Sequence, residues 1–353
     1  MPSNGPDQSQ PQSAGQARRR GGSAAGTAPA ALLQALDERP DAERLSEALA
    51  HRHYRVVARA AEVAADGLHY ALEPALMDAF RRFAALDHKR DPGCLAKGAI
   101  ARALVALDCL DATFYREGIA LRQPEPVWGG SVDTAADVRA SCAMGLAASG
   151  DADALADLVD LLVDPEHRVR AGAVRAIGCT EPRAAEAVLR TKALLGDAEP
   201  EVTGECFRSL LGLAPETAPA FVGRWLDEAP PSDPVLAELA ALALGESKLD
   251  AAVDLLRRRW EAEPLRSDRD RTLLRAAALA RTPRALDWLT TLAADADAGT
   301  ARRVIEELGV HRGHRRVAQA LHERLAQRGD AALLAVFETH FGGGRDGTGG
   351  TRT

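Results

Sequence analysis

The stretch Leu161–Gly178, LLVDPEHRVRAGAVRAIG, decides the fold, because it recurs in altered form on both sides of itself. It closes one helix with Leu161, Leu162 and Val163, turns at Asp164-Pro165, and opens a second helix. The apolar positions of that second helix, Val169, Ala173 and Ile177, fall four apart on one helical face. The pattern returns upstream as Val138, Cys142 and Leu146 and downstream as Val202, Cys206 and Leu210, the anchor valines lying 31 and 33 residues from Val169. A further step of 33 reaches Val235, Leu239 and Ala243. Asp133, Asp164 and Asp197 each precede their anchor by five residues; the fourth copy has Pro230 there, with Asp227 displaced by the insert Pro230-Pro231-Ser232. A fixed period of this size implies two-helix units that cannot bury their apolar faces without their neighbours.

Two of these segments, Asp164–Gly178 (DPEHRVRAGAVRAIG) and Asp133–Gly150 (DTAADVRASCAMGLAASG), resemble the HEAT-like repeats first recognised in phycobilisome lyases. The shared features are an aspartate in the inter-repeat turn, a Val-Arg-Ala helix start and an Ala-rich helix closing in Leu-Gly or Ile-Gly. The match is strong over residues 133–250 and fainter on both flanks. The resemblance implies an all-α fold of the HEAT/armadillo kind, a right-handed α-solenoid of stacked antiparallel helix pairs with about eight to nine units. Thr203 and Leu236 stand where the other copies have Arg139 and Arg170, so a ladder of these arginines along the stack is expected to break there.

Composition agrees with one elongated helical body. Hydrophobic residues make up 46% of the 353 but aromatics only 4%, so the apolar content is alanine, leucine and valine. No segment alternates with period two over a strand's length, and no sheet is expected. The formal net charge of -7 argues against a dedicated nucleic-acid binder, which normally carries a basic excess. The five cysteines include no CxxC pair and suggest neither a disulfide framework nor a zinc site. Cys142 and Cys206 share one repeat position and read as small core residues. No apolar run approaches the roughly 20 residues of a membrane span, and the first residues lack the apolar core of a secretory leader, which points to the cytoplasm.

The chain divides into a disordered tail (1–28, including Arg18, Arg19 and Arg20), the solenoid (29–341) and a flexible Gly-rich tail (342–353). Within the solenoid the expected helices are 29–38, 41–50, 54–65, 71–85, 93–107 and 112–121, giving irregular N-terminal units over 29–121. A loop insertion follows at 122–133, then regular repeats over 134–263 and looser units over 264–341 that end in a closing helix at 330–341. Asp91-Pro92 reads as an N-cap and first helical residue.

The segment that breaks the repeat, Arg122–Val132 (RQPEPVWGGSV), follows the second helix of its unit, as LDHKRDP (86–92) does in the unit before. Both insertions therefore fall on the same edge of the stack, in neighbouring units, and can meet. Together they offer Trp128, Glu125, Lys89 and Arg90 as a partner-binding surface, with His88 beside them and Gly129 and Gly130 admitting a partner backbone. The blander reading, to which the residues give the greater weight, folds Trp128 back as a plug between units while Pro124 and Pro126 stiffen a long connector. A basic patch around His311, Arg312, His314, Arg315 and Arg316 lies beside Glu306, Glu307 and Glu323 and reads as a solvated helix face.

No GxSxG, P-loop, GxGxxG or HExxH pattern occurs, and no cofactor or metal is expected. The repeat aspartates read as turn and cap residues. The function that follows is a non-catalytic scaffold that binds another protein through its solenoid surface. The resemblance itself implies an alternative, a phycobilisome-lyase-like enzyme or accessory subunit acting on a chromophore-carrying partner protein. A HEAT-like DNA glycosylase would need a basic groove that this acidic chain does not suggest.

Overall fold

The computed structural model describes residues 29–38, 40–227, 233–262 and 268–342. The two tails expected at 1–28 and 342–353 lie outside these residues except for Gly342, as does the Pro230-Pro231-Ser232 insert. Nineteen α-helices follow one another among the described residues. The first six are α1 Pro29–Leu36, α2 Ala42–Leu49, α3 Tyr54–Asp66, α4 Glu73–Ala84, α5 Leu95–Ala106 and α6 Ala112–Ile119. A short hairpin comes next, β1 Pro124–Val127 and β2 Gly130–Asp133. The regular repeats are α7 Ala136–Ala148, α8 Ala154–Asp160, α9 His167–Ile177, α10 Pro182–Leu195, α11 Pro200–Leu213, α12 Ala218–Asp227, α13 Pro234–Glu246 and α14 Asp250–Ala262. The chain ends with α15 Asp268–Ala280, α16 Pro283–Asp295, α17 Ala298–Leu308, α18 Arg315–Arg328 and α19 Ala331–Phe341. Nine consecutive pairs and a closing helix result, an all-α solenoid in which each odd-numbered helix packs on the next odd-numbered one.

Local chemistry sets the helix ends. Proline occupies the first turn of α10, α11, α13 and α16, where the missing N–H costs nothing. Side chains of Asp41, Asp111, Asp297 and Asp330 accept backbone N–H bonds at the starts of α2, α6, α17 and α19. The stripes read from the sequence are core: Val138, Cys142 and Leu146, then Val169, Ala173 and Ile177, then Val202, Cys206 and Leu210 are all buried. Burial pushes the Cys142 and Cys206 thiols up to about 12, in keeping with inert packing residues. Small residues let the odd-numbered helices approach closely. Gly172 lies against Ala140, and a Cβ on Gly245 would collide with the Ala276 carbonyl.

Four expectations are corrected. A sheet exists, though only the two-stranded hairpin inside the insertion. Period-two alternation could not reveal it, because two of the four residues of β1 are prolines. The fourth repeat is displaced at its start: Val235 is 51% exposed in the first turn of α13 and Leu239 is half-buried, while Ala243 is buried as expected, beside Ala237, Ala240, Ala241 and Leu244. The aspartate at its turn is Asp233 rather than Asp227. Its carboxylate takes the N–H groups of Val235 and Leu236, at a step of 36 from Asp197 that absorbs the three-residue insert. Finally, α5 begins at Leu95 rather than Gly93, because Gly93 and Cys94 both take left-handed backbone angles after Pro92. Asp91 still caps the helix, from further back, through the N–H groups of Ala96 and Lys97.

Candidate functional site

The inter-repeat turns form one edge of the stack, and a ladder of acids and cations runs beneath it. At each regular turn an aspartate accepts the backbone N–H two residues on: Ala135 for Asp133, Glu166 for Asp164 and Glu199 for Asp197, each 2.9–3.0 Å. The arginine six residues later reaches into the next unit. Arg139 grips Asp164 with Nε (3.1 Å) and Nη2 (2.9 Å) while its Nη1 bonds Asp133 at 2.6 Å. Arg170 grips Asp197 with Nε (2.9 Å) and Nη2 (2.6 Å). Such forked contacts are the strongest an arginine makes. Arg139 is wholly buried, so two carboxylates and the Leu121 carbonyl stand in for water around its charge. Burial would raise the Asp197 carboxyl, but bonds from Arg170, Lys192 and the Glu199 N–H hold it well below the usual range. Asp133 is held low in the same way by Gln123, Ala135 and Arg139.

The expected break is real. Thr203 takes the arginine position and cannot reach Asp233, and its hydroxyl is buried without a partner among the described residues. The corrected register puts Leu239, rather than Leu236, at the next position, where it packs against Gly204. A further rung went unread in the sequence. Asp91 and Lys97 form an ion pair of 3.0 Å, each side chain 1% exposed. Their spacing of six matches Asp133 to Arg139 and could have disclosed it.

The hairpin rises from this ladder. Its register pairs Pro124 with Asp133, Glu125 with Val132, Pro126 with Ser131 and Val127 with Gly130. The two-residue turn is Trp128-Gly129, where Gly129 supplies the positive φ of +88°. Val127 and Gly130 close the turn and exchange hydrogen bonds, and Gln123 O accepts from Thr134 N in phase with them. Glu125 and Val127 therefore point their backbone groups at β2. The outward-pointing positions of β1 are Pro124 and Pro126, which have no N–H to offer a further strand.

The two insertions meet, and Glu125 joins them. Its Oε1 accepts Gly93 N at 2.6 Å, Gln123 Nε2 at 2.8 Å and Thr134 Oγ1 at 2.7 Å. Burial would raise this carboxyl, but these donors hold it below its ordinary value. Gln123 Nε2 also donates to Asp91 O at 2.9 Å, and Gln123 N donates to Asp133 Oδ1. Gln123 and Thr134 were not picked out from sequence, since neither is charged or aromatic. With its base so fixed, the hairpin holds Trp128 out at its tip, fully exposed. The plug reading is thereby overturned: the indole does not fold back between units. Val127 and Val132 are exposed beside it. Lys89 and Arg90 sit in the single helical turn His88–Arg90, both exposed and without an acidic group within 4 Å among the described residues. His88 lies 3.6 Å from Asp87. The second basic patch is partly internal, since His311 is buried with Nε2 2.8 Å from Ala278 O.

No group of three or more His, Cys, Asp or Glu side chains among the described residues is arranged to hold a metal ion. No described helix is long and apolar enough to cross a membrane.

Residues 131–191 match the family model for HEAT repeats, which spans the ladder from Asp133 through Arg170. No curated protein matches the chain. Among solved structures it is similar to an engineered protein of the Northeast Structural Genomics Consortium, at 17% identity and a TM-score of 0.37, covering 87% of this chain and 86% of that one. It is also similar to the complex of CpcE and CpcF of phycocyanin lyase from a Nostoc species, at 16% identity and a TM-score of 0.33, covering 67% and 92%. Human deoxyhypusine hydroxylase in complex with glycerol matches at 18% identity and a TM-score of 0.28, covering 79% and 96%. At these scores none of the three superimposes on the whole chain, and the solenoid rests on the chain's own helices.

Proposed function

We propose, from an all-α solenoid whose residues 131–191 are HEAT repeats, that the chain is a non-catalytic scaffold that recognises another protein through the hairpin edge. The observation that carries this reading is Trp128, an indole left wholly in water at the tip of an arm whose base is tied by Glu125, Gln123 and Asp133. An exposed tryptophan on a fixed support loses little conformational freedom when it is buried in a partner, and tryptophan and arginine are the residue types that most often dominate interfaces. Lys89 and Arg90 directly precede Asp91, to which the base of the arm is bonded, and would select a partner surface with acidic groups near its pocket. In this reading Glu125 serves recognition from beneath, by positioning the arm.

The test is capture from native cells with the tagged chain, comparing the wild type with Trp128→Ala by mass spectrometry. A recurrent protein lost from the variant is the expected result. An identical set of proteins on both would overturn the reading.

A further inference from the structure

A largely apolar cleft with a carboxylate, Glu47, among its lining residues beside Arg44 and His51 exists on this same chain. Between α1 and α2 lies an open cleft of 410 Å³ whose walls include Leu32, Leu36, Pro40 and Ala48, with Arg44 and Glu47 at its mouth. That volume lies in the range of sites that bury a drug-sized group and exceeds what one indole needs. Arg44 is exposed and lines the cleft, and a guanidinium can stack on an aromatic face. Glu43 and Glu47 are exposed on α2 with no basic group within 4 Å among the described residues. Lys89 and Arg90 beside the hairpin are exposed cations in the same condition. Knob and cleft thus match in size and apolar character, and, among the described residues, the unpaired acids on α2 match the unpaired cations beside the hairpin.

A molecule cannot satisfy this match by itself. The hairpin is tied at its base to the turn that precedes α5, and α3 and α4 stand between that turn and the cleft. We infer that the hairpin's partner is a second copy of this chain: Trp128 of each copy enters the α1/α2 cleft of the other, and Lys89 and Arg90 face Glu43 and Glu47. The two surfaces differ, so a two-fold axis makes the contact twice, and that closed arrangement is the commonest among homo-oligomers. Burying an indole removes about 150–250 Å² of its surface at each contact. This inference rests on the proposed role of the hairpin in protein recognition.

The experiment is light scattering on the purified full-length chain over a wide concentration range. The wild type should pass from monomer to dimer as concentration rises. Trp128→Ala should weaken the association at least about thirtyfold, the fold-change that corresponds to loss of an interface hot spot. Ala35→Glu, an exposed substitution that sets a carboxylate in the cleft, should weaken it similarly, and the exposed change Glu47→Lys should do so to a smaller degree. Circular dichroism establishes that each variant is folded. An equimolar mixture of Trp128→Ala and Ala35→Glu retains one intact cleft and one intact hairpin, so unlike copies should associate where neither variant does alone. A wild type that stays monomeric throughout overturns the inference, as does a dimer indifferent to these substitutions. A monomeric wild type that still loses a captured protein with Trp128→Ala would overturn self-association and leave the proposed scaffold role standing.

Discussion

Both halves of the solenoid carry arginines that link helix to helix at the surface, Arg81 to Glu117 in one and Arg324 to Asp287 in the other. Among the described residues the first alone also forks arginines onto the aspartates of its inter-repeat turns. Between Asp133 and Asp197 the arginines lie inside the inter-repeat turns. Arg139 is entirely buried and Arg170 nearly so, each forking onto the aspartate of the next unit. Beyond α14 no such fork onto a turn aspartate occurs among the described residues, and the arginines reach side chains of neighbouring helices or backbone carbonyls. Arg324 reaches Asp287 and Thr291, Arg275 reaches Glu307, and Arg328 donates to the carbonyls of Ala293, Ala294 and Ala296. An arginine shut into a turn fixes the position of the following unit to within hydrogen-bond tolerance. One on a helix face adds attraction with little say in register. The hairpin stands directly above the Arg139 clamp, whose Nη1 bonds Asp133 at the end of β2.

Removing the largest contributor should break this contrast most visibly. Arg139→Leu leaves Asp133 and Asp164 without their shared cation and should cost about 3–5 kcal/mol, read from urea unfolding. Arg324→Ala, the same chemistry on an exposed face, should cost no more than about 1 kcal/mol. Equal losses at the two sites would erase the distinction. At the ladder's gap the sign reverses. Thr203→Val removes a buried hydroxyl that has no partner among the described residues and should stabilise by about 1 kcal/mol, visible as a raised unfolding midpoint.

Acid should loosen the hairpin half through the same groups. Asp133, Asp197 and Glu125 have folded-state values below their unfolded ones, so the stability they supply is complete above about pH 4 and lost as pH falls through the folded values beneath it. Hydrogen exchange of the Gly93, Gln123 and Ala135 amides should accelerate, relative to the C-terminal helices, below about pH 4. Uniform behaviour of both halves would count against the clamp. The smallest effect is expected at the most conspicuous residue: Trp128→Ala touches no packing and should move stability by less than about 0.5 kcal/mol in thermal unfolding.

The helices of the repeats were legible because burial writes a period into the sequence, and the stripes from Val138 to Leu210 are core where that period placed them. The insert of Pro230-Pro231-Ser232 broke the period, and Val235 was misassigned because a count of residues cannot register a change in turn length. Asp233, a capping residue directly before a proline, was the local sign that could have corrected it. The edge location of Trp128, Lys89 and Arg90 followed from where the insertions fall between helices. The outward pose of the indole did not, because it depends on uncharged donors at Gly93, Gln123 and Thr134 that leave no mark in composition or charge. The buried pairing of Lys97 was equally hidden, since a lone lysine in an Ala-rich helix reads as a solvated one.

Pro124 and Pro126 bear on what this molecule does when crowded. A short, well-ordered pair of strands held away from a body offers its outer backbone to any extended chain, which is how many soluble proteins begin to aggregate into cross-β deposits. Here the outer side of β1 has nothing to donate, and β2 presents only the brief stretch around Ser131. The arm can therefore carry its indole through a concentrated protein solution without seeding fibrils. Replacing both prolines would restore to the outer edge of β1 the N–H donors that a further strand needs.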